Sequence, residues 1–189
     1  MVMKRDEFLR VVAKNLSGDE IVVPIYTACF DWEVIRPSPL NYTSTGAMGL
    51  GSSHALGLAI GYPERKVVLF DGDGSLLMNL GTLVTIGAVA PRNYFHFLIN
   101  NRAYESNGNQ PLPQPDLDFA GIAETAGYRK VYRFNDLAVF EQQAAAILDE
   151  EGPVFVEAKL EAGMRSPRNR AVLYGPERRD IFRKAVAQG

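Results

Sequence analysis

Cysteine is almost absent from this sequence, in which Cys29 is the only one among 189 residues. A single thiol cannot form a disulfide within the chain, and it cannot supply four ligands to a zinc or iron–sulfur site. An excess of positive charge is also missing, because 22 Asp and Glu residues outnumber 20 Lys and Arg residues. The net charge of −2 gives no electrostatic reason to expect general nucleic-acid binding.

Long apolar runs are lacking as well, and none approaches the roughly 20 residues that a membrane-spanning helix requires. The chain leads directly into an amphipathic helix pattern over residues 6–16, without the apolar core of a signal peptide. We therefore expect a cytoplasmic protein. The length and the 47% hydrophobic content predict one domain over residues 1–189, with a C-terminal extension over 163–189 that ends in a helix from Pro176.

Short apolar runs alternate with helix-like segments along most of the chain. Strands are predicted at residues 21–25, 66–71, 94–99, 129–133 and 153–158. Alternation of this kind is typical of a three-layer α/β/α fold with a mainly parallel central sheet. Between the second and third strands, the pattern predicts one apolar helix from Leu76 to Val89, ended by Pro91.

Two polar motifs directly follow consecutive predicted strands. The first is Gly72-Asp73-Gly74-Ser75, and the second is Asn100-Asn101. In open α/β sheets, ligands bind beyond the carboxyl ends of the strands, so Asp73 and Asn101 are expected to converge there. A carboxylate and a carboxamide oxygen suit Mg²⁺, which commonly shares its ligands with substrate phosphates. The glycines allow backbone N–H groups to approach a phosphate.

Either motif alone has a simpler interpretation, as an ordinary strand-to-helix turn or an ordinary strand exit. Together, at consecutive strand ends, they predict a magnesium-diphosphate site. The backbone carbonyl of Ala103 could supply a third metal ligand, and the Ser75 hydroxyl could hold a phosphate oxygen.

The combination of Gly72-Asp73-Gly74 with Asn100-Asn101 resembles the cofactor signature of the thiamine-diphosphate-dependent decarboxylases. The resemblance extends to the loop from Thr45 to Gly49 and to residues 77–81. Residues 20–160 are similar to that family's pyrophosphate-binding domain. Within the family, the chain most resembles the β subunit of sulfopyruvate decarboxylase and the phosphonopyruvate decarboxylases.

The resemblance implies thiamine diphosphate and Mg²⁺ as cofactors and assigns roles to individual residues. Asp73, the side chain of Asn101 and the main-chain carbonyl of Ala103 would bind Mg²⁺. The residues that would contact the cofactor are Gly46, Ala47, Met48, Gly72, Asp73, Gly74, Ser75, Asn101, Ala103 and Tyr104.

Two residues of the same loop would take part in the chemistry. By the resemblance, Met48 is the apolar wedge that bends the cofactor, and the Gly46 carbonyl accepts a hydrogen bond from its pyrimidine amino group. Bending brings that amino group close to the reactive carbon, so that the cofactor serves as its own base. The simpler interpretation of Met48 is core packing.

The resemblance also implies a partner. In this family, a glutamate from a separate pyrimidine-binding domain completes the site, and the motifs of this chain belong to the other domain. We therefore expect a hetero-oligomer in which an α-type subunit supplies the glutamate, and in which the cofactor lies at the interface. The expected reaction is the decarboxylation of sulfopyruvate or phosphonopyruvate to the corresponding aldehyde.

Other functions remain open at this point. A 2-oxo acid oxidoreductase subunit shares the cofactor signature but usually carries cysteines for an iron–sulfur cluster, and a transketolase-like subunit is a further alternative. A phosphate- or nucleotide-binding regulatory module would not be an enzyme at all. Metal-dependent binding of thiamine diphosphate, but not of ATP or FMN, would distinguish the decarboxylase subunit from the regulatory module.

Three further features have less certain roles. We expect structural roles for His54 and His96, the only histidines. The loop over residues 102–111 resembles the substrate-side loop of the sulfopyruvate and phosphonopyruvate enzymes, although it could be a solvated surface loop. The basic cluster from Arg165 to Arg170 could meet a sulfonate or phosphonate, or it could be a solvated tail.

Overall fold

The computed structural model describes residues 3–43, 48–163, 173 and 175–188. Its strands are β1 (Ile21–Pro24), β2 (Val67–Gly72), β3 (Tyr94–Asn100), β4 (Ala103–Tyr104), β5 (Gln110–Pro111), β6 (Lys130–Phe134) and β7 (Val154–Lys159). Five of them form a parallel sheet in the order β1-β2-β3-β7-β6, and β4 pairs antiparallel with β5.

The helices are α1 (Arg5–Lys14), α2 (Thr27–Ile35), α3 (Gly51–Gly61), α4 (Asp73–Leu77), α5 (Gly81–Val89), α6 (Phe119–Ala126), α7 (Leu137–Leu148) and α8 (Pro176–Ala187). Within the described ranges, none of these helices is long and apolar enough to cross a membrane.

Helices cover both faces of the sheet, because its strands are apolar on both sides. Val68 and Phe70 of β2 belong to a core shared with α1, α2 and α7. Val67 and Leu69 of the same strand belong to a second core shared with α3, α5 and α6. Alternate residues of a strand point to opposite faces, so continuous apolar runs produce two cores. The predicted three-layer α/β/α fold with a parallel central sheet is confirmed.

The predicted continuous helix from Leu76 to Val89 is wrong. A helix begins earlier, at Asp73, and ends at Leu77, and a turn over residues 78–80 separates it from α5. In the turn, the Met78 N–H bonds the Ser75 carbonyl, and the Asn79 N–H bonds the Leu76 carbonyl. The Asn79 side chain is used outside the helix, where it donates to the Gly49 carbonyl. This contact cannot be predicted from the apolar composition of the segment.

Helix α2 has no counterpart among the predicted elements. Five consecutive residues from Ala28 to Trp32 are buried. A helix buried on most of its surface lacks the amphipathic periodicity by which a helix is recognised in sequence. Just before it, Tyr26 takes φ 48° and ψ −115°, which costs free energy in a non-glycine residue. The strained residue turns the chain from β1 into α2.

Two glycines provide a matched test of the packing between α5 and α6. A Cβ on Gly87 would lie 1.8 Å from the Ala126 carbonyl oxygen, whereas a Cβ on Gly57 of α3 would have no neighbour within 4 Å. We expect Gly87→Ala to lower the free energy of unfolding by more than about 2 kcal/mol, because the two helices must separate. Gly57→Ala should raise it by about 0.5–1 kcal/mol through helix propensity. Urea unfolding measures both; equal effects would contradict the packing.

Candidate active site

Two adjacent parallel strands bring the predicted motifs to one edge of the sheet. Strands β2 and β3 pair in a register that places Gly72 opposite Ile99. Asp73 begins α4 directly after β2, and Asn101 directly follows β3. The main-chain N–H of Arg102 donates to Asp73 Oδ2 at 2.5 Å, so the two strand exits are joined by a hydrogen bond.

A cleft at this edge collects the predicted site residues. Its lining includes eight of them: Met48, Gly72, Asp73, Gly74, Ser75, Asn101, Ala103 and Tyr104. The other two, Gly46 and Ala47, lie outside the described residues, so their roles stay predictions. The cleft is also lined by Glu105 and Ser106 of the loop over residues 102–111. Its other lining residues were not singled out by sequence reasoning: Ile25, Tyr26, Thr27, Ala28 and Ile99.

Asp73 is a buried carboxylate at the floor of the cleft, with 2% of its surface exposed. Burial raises the pKa of Asp73 to about 6, even though N–H groups of Gly74 and Arg102 donate to its two oxygens. No lysine or arginine in the described ranges forms an ion pair with it. A cation would compensate the loss of hydration that this carboxylate suffers.

The orientation of the Asn101 carboxamide follows from its neighbours. Its Nδ2 donates to Glu105 Oε2 at 3.1 Å, and its Oδ1 accepts from the Ala103 N–H at 3.1 Å. A carboxylate can only accept, so Glu105 determines which end of the carboxamide is the nitrogen. The oxygen, which is the end that could bind a metal ion, therefore faces away from Glu105.

Met48 belongs to a turn that is fixed to the first motif. The Gly49 N–H donates to Ser75 Oγ at 3.1 Å, and Asn79 Nδ2 donates to the Gly49 carbonyl at 2.9 Å. Ser75 accepts in this contact, which leaves its hydroxyl hydrogen free to bond a ligand oxygen. The role of Asn79 was missed, since nothing in the sequence links it to a residue 30 positions away.

Gly74 is required by a close contact with an aromatic ring. A Cβ at this position would lie 2.5 Å from Cδ1 of Tyr104. The ring of Tyr104 therefore packs directly over the backbone of the first motif. The Gly74 N–H donates to Asp73 Oδ1 at 2.7 Å, which orients the carboxylate.

The remaining candidates lie outside the cleft lining. His96 is fully buried in β3, with Nδ1 3.1 Å from the Tyr128 hydroxyl and its ring against Phe155. His54 packs edge to face with Tyr42. These contacts fit the structural roles expected for both histidines. Residues 165–170, the basic cluster, lie outside the described residues.

The donor set of the cleft fits a magnesium ion better than a metal with soft ligands. In the described part of the chain, no group of three or more His, Cys, Asp or Glu side chains could hold a metal. Asp73 and Asn101 offer one carboxylate and one carboxamide oxygen. Mg²⁺ accepts such a set because it keeps waters and takes further oxygens from a bound phosphate.

Comparison with protein families matches residues 25–158 to the thiamine pyrophosphate enzyme C-terminal TPP-binding domain. The chain is 37% identical to sulfopyruvate decarboxylase subunit beta of Methanothermobacter thermautotrophicus, over 86% of this chain and 85% of that protein. It is 36% identical to the protein of the same name from Methanocaldococcus jannaschii, over 84% and 85%. Phosphonopyruvate decarboxylase of Streptomyces viridochromogenes is 37% identical over 65% of this chain but 31% of that protein.

Solved structures share the fold at lower identity. A thiamin diphosphate-dependent enzyme from Mycobacterium smegmatis matches with a TM-score of 0.74 and 22% identity, over 85% of this chain and 32% of that chain. Benzoylformate decarboxylase from Polynucleobacter necessarius matches with a TM-score of 0.72 and 18% identity, over 88% and 35%. The chain thus spans about a third of the length of these two structures.

The raised pKa of Asp73 predicts a pH dependence of stability in the metal-free protein. The folded-state pKa of about 6 exceeds the usual value of 3.8, so the folded state binds more protons between these values, and stability decreases as pH rises through 6. When the pH falls from 7 to 5, we expect the free energy of unfolding of the wild type to rise by about 1 kcal/mol more than that of Asp73→Ala. Urea unfolding in EDTA at both pH values measures this difference. If the wild type and Asp73→Ala differ in free energy of unfolding by the same amount at both pH values, the raised pKa of Asp73 is contradicted.

Proposed function

Because the chain belongs to the thiamine pyrophosphate enzymes and matches their C-terminal TPP-binding domain, we propose that it is the β-type subunit of a thiamine-diphosphate-dependent 2-oxo acid decarboxylase. Its substrate is sulfopyruvate or phosphonopyruvate, and its products are the corresponding aldehyde and CO₂. Two relatives named sulfopyruvate decarboxylase subunit beta match most of the chain and support the first acid. We take residues 1–189 as one such domain in a cytoplasmic protein, with 163–189 as its extension.

The observation that carries the proposal is the convergence of Asp73 and Asn101 in one cleft. We assign Mg²⁺ to the Asp73 carboxylate, the Asn101 side-chain oxygen and the Ala103 main-chain carbonyl. Thiamine diphosphate, when bound, supplies the electron sink that the loss of CO₂ from a 2-oxo acid requires.

The charge of the cleft makes the metal essential to this proposal. The residues described as lining it include Asp73 and Glu105 but no lysine or arginine. A diphosphate entering such a cleft would meet carboxylates, and backbone and hydroxyl donors alone would not neutralise its charge. Asp73 and Asn101 would hold Mg²⁺ here, and its positive charge would offset this repulsion. Cofactor binding should therefore depend strictly on a divalent cation.

In this proposal, the part of the cleft beside Met48 would hold the organic part of the cofactor. Met48 offers an apolar side chain on a turn that Ser75 and Asn79 fix, so it can act as a support against which the cofactor bends. The Ser75 hydroxyl and the backbone of Gly72 and Gly74 face the diphosphate. Gly46 and Ala47 complete the loop as proposed contacts, and the Gly46 carbonyl orients the pyrimidine amino group.

We further propose that an α-type partner subunit covers this edge of the molecule and supplies the glutamate. Large apolar side chains lie exposed beside the Met48 turn: Leu50 is 42% exposed, and Met78 is 61% exposed. Val84, on the outward side of α5, is 62% exposed. We call Leu50, Met78 and Val84 the α5 surface. Leu50 and Met78 lie beside the turn that carries the cleft residue Met48, and exposed apolar side chains at that place support subunit contact.

The reaction can be tested in the enzyme reconstituted with its α-type subunit. We expect CO₂ release from sulfopyruvate to exceed that from phosphonopyruvate and pyruvate, with strict dependence on thiamine diphosphate and Mg²⁺.

Asp73→Ala should abolish Mg²⁺-dependent retention of thiamine diphosphate, measured by equilibrium dialysis, while circular dichroism remains that of the wild type. Cofactor retention that survives this substitution, or that needs no metal, would contradict the metal assignment.

Two exposed valines provide a matched test of the partner surface. Val84 lies on the α5 surface, and Val139 is 45% exposed on α7, which covers the other face of the sheet. We expect Val84→Asp to weaken association with the α-type subunit at least tenfold, because a charge would be buried in an apolar contact. Val139→Asp should leave association unchanged. Analytical ultracentrifugation of the mixed subunits measures both, and equal effects would place the interface elsewhere.

A further inference from the structure

One arginine from the first helix reaches the candidate metal site through a chain of contacts. Arg5 is 3% exposed, and its Nε donates to Asp31 Oδ2 at 2.6 Å. Its Nη1 donates to Glu105 Oε2 at 2.5 Å and to Thr27 Oγ1 at 3.2 Å. Glu105 Oε2 in turn accepts from Asn101 Nδ2 at 3.1 Å. The contacts run from α1, by way of the loop after β3, to the carboxamide that we assign to the metal.

The charges of this cluster show why the arginine is needed. Burial alone would lower the pKa of Arg5, but the carboxylates of Asp31 and Glu105 outweigh it, and the pKa is raised. The side chain of Glu105 is 8% exposed, and it lines the same cleft as Asp73. Without Arg5, a second unpaired carboxylate would lie beside the metal site. A free carboxylate there would compete with Asn101 for the cation.

Hydrogen bonds to both carboxylate oxygens hold Glu105 in place. Its Oε2 is the acceptor for both Arg5 and Asn101, and a second nitrogen of the Arg5 guanidinium, Nη2, donates to its Oε1 at 3.4 Å. The Asn101 nitrogen is therefore occupied, and its oxygen is turned the other way. Partners that orient metal ligands in this manner contribute to metal affinity without touching the metal.

We propose that Arg5, acting through Glu105, is a positioning residue for the metal ion: it fixes Glu105 so that the Asn101 oxygen, rather than a carboxylate, faces the cation. This inference rests on the proposed function, because it takes Asp73 and Asn101 as the metal ligands. It adds a role for two residues that lie 100 positions apart in the sequence. Neither belongs to the two motifs from which the metal ligands were predicted, although Glu105 lies in the loop over residues 102–111.

The test is titration with Mn²⁺ of the enzyme reconstituted from this chain and its α-type subunit, in the presence of thiamine diphosphate. Free Mn²⁺ is read by electron paramagnetic resonance. This readout needs no catalysis. We expect Glu105→Ala to weaken Mn²⁺ binding by about 10-fold or more, in the range found for partners of metal ligands. Glu105→Gln keeps an acceptor for Asn101 Nδ2 but loses the ion pair with Arg5. Its Mn²⁺ affinity should therefore lie between those of the wild type and of Glu105→Ala.

The matched control is Asp31→Asn. It removes a carboxylate from the same buried cluster, but one that bonds Arg5 Nε and not the Nη1 that contacts Glu105. We expect its Mn²⁺ affinity to stay near that of the wild type, even if its melting temperature falls as far as that of Glu105→Ala. Should Glu105→Ala fail to fold, Glu105→Gln carries the same comparison.

Arg5 itself is tested by a double-mutant cycle. Lysine cannot reach both carboxylates with one ammonium group, so Arg5→Lys should weaken Mn²⁺ binding in the wild type. It should have no further effect in the Glu105→Ala background if it acts through Glu105. Full additivity would overturn the proposal.

Two other outcomes would also overturn it, and a third reaches further. Wild-type affinity in Glu105→Ala would show that the cluster only stabilises the fold, and equal weakening by Asp31→Asn would show a general loosening. A reconstituted wild-type enzyme that binds no Mn²⁺ with thiamine diphosphate, or that binds it equally after Asp73→Ala, would refute the proposed function as well.

Discussion

The parallel pairing of β2 with β3 is the constraint on which the rest of this site depends. It brings Asp73 and Asn101 to the same edge of the sheet, and a hydrogen bond from the Arg102 backbone to Asp73 joins the two exits. Both strands are apolar on both faces, and a shift of one residue would exchange the faces of every side chain. The free energy that fixes the register of the core thus fixes the distance between the two candidate metal ligands.

The site is built with a charge that it cannot satisfy by itself. Burial of Asp73 raises its pKa to about 6, and the guanidinium of Arg5, which contacts the cleft residue Glu105, is engaged by Asp31 and Glu105. Such an arrangement costs folding free energy in the absence of a cation and recovers it when one binds. The proposed ligand is therefore one that arrives with a divalent metal, as diphosphates do in solution with Mg²⁺.

The parts of this site that the sequence predicts are those encoded locally. Asp73 and Asn101 each directly follow a strand, so an apolar run and the residue after it were enough to find them. The contacts between Asn79 and Gly49, and between Arg5 and Glu105, join residues 30 and 100 positions apart, and only the packed chain reveals them. The same limit explains the missed break at residues 78–80 and the missed helix α2, whose burial removes the periodicity that marks a helix.

The most direct test of the central claim is the position of the metal. Crystals grown with thiamine diphosphate and Mn²⁺, measured near the manganese absorption edge, would locate the ion by its anomalous signal. We expect a peak at about 2.1–2.2 Å from an Asp73 carboxylate oxygen and from Asn101 Oδ1, the distance of a hard cation from its oxygen ligands. A peak bound to other residues, or a bound cofactor with no metal between it and Asp73, would contradict the account.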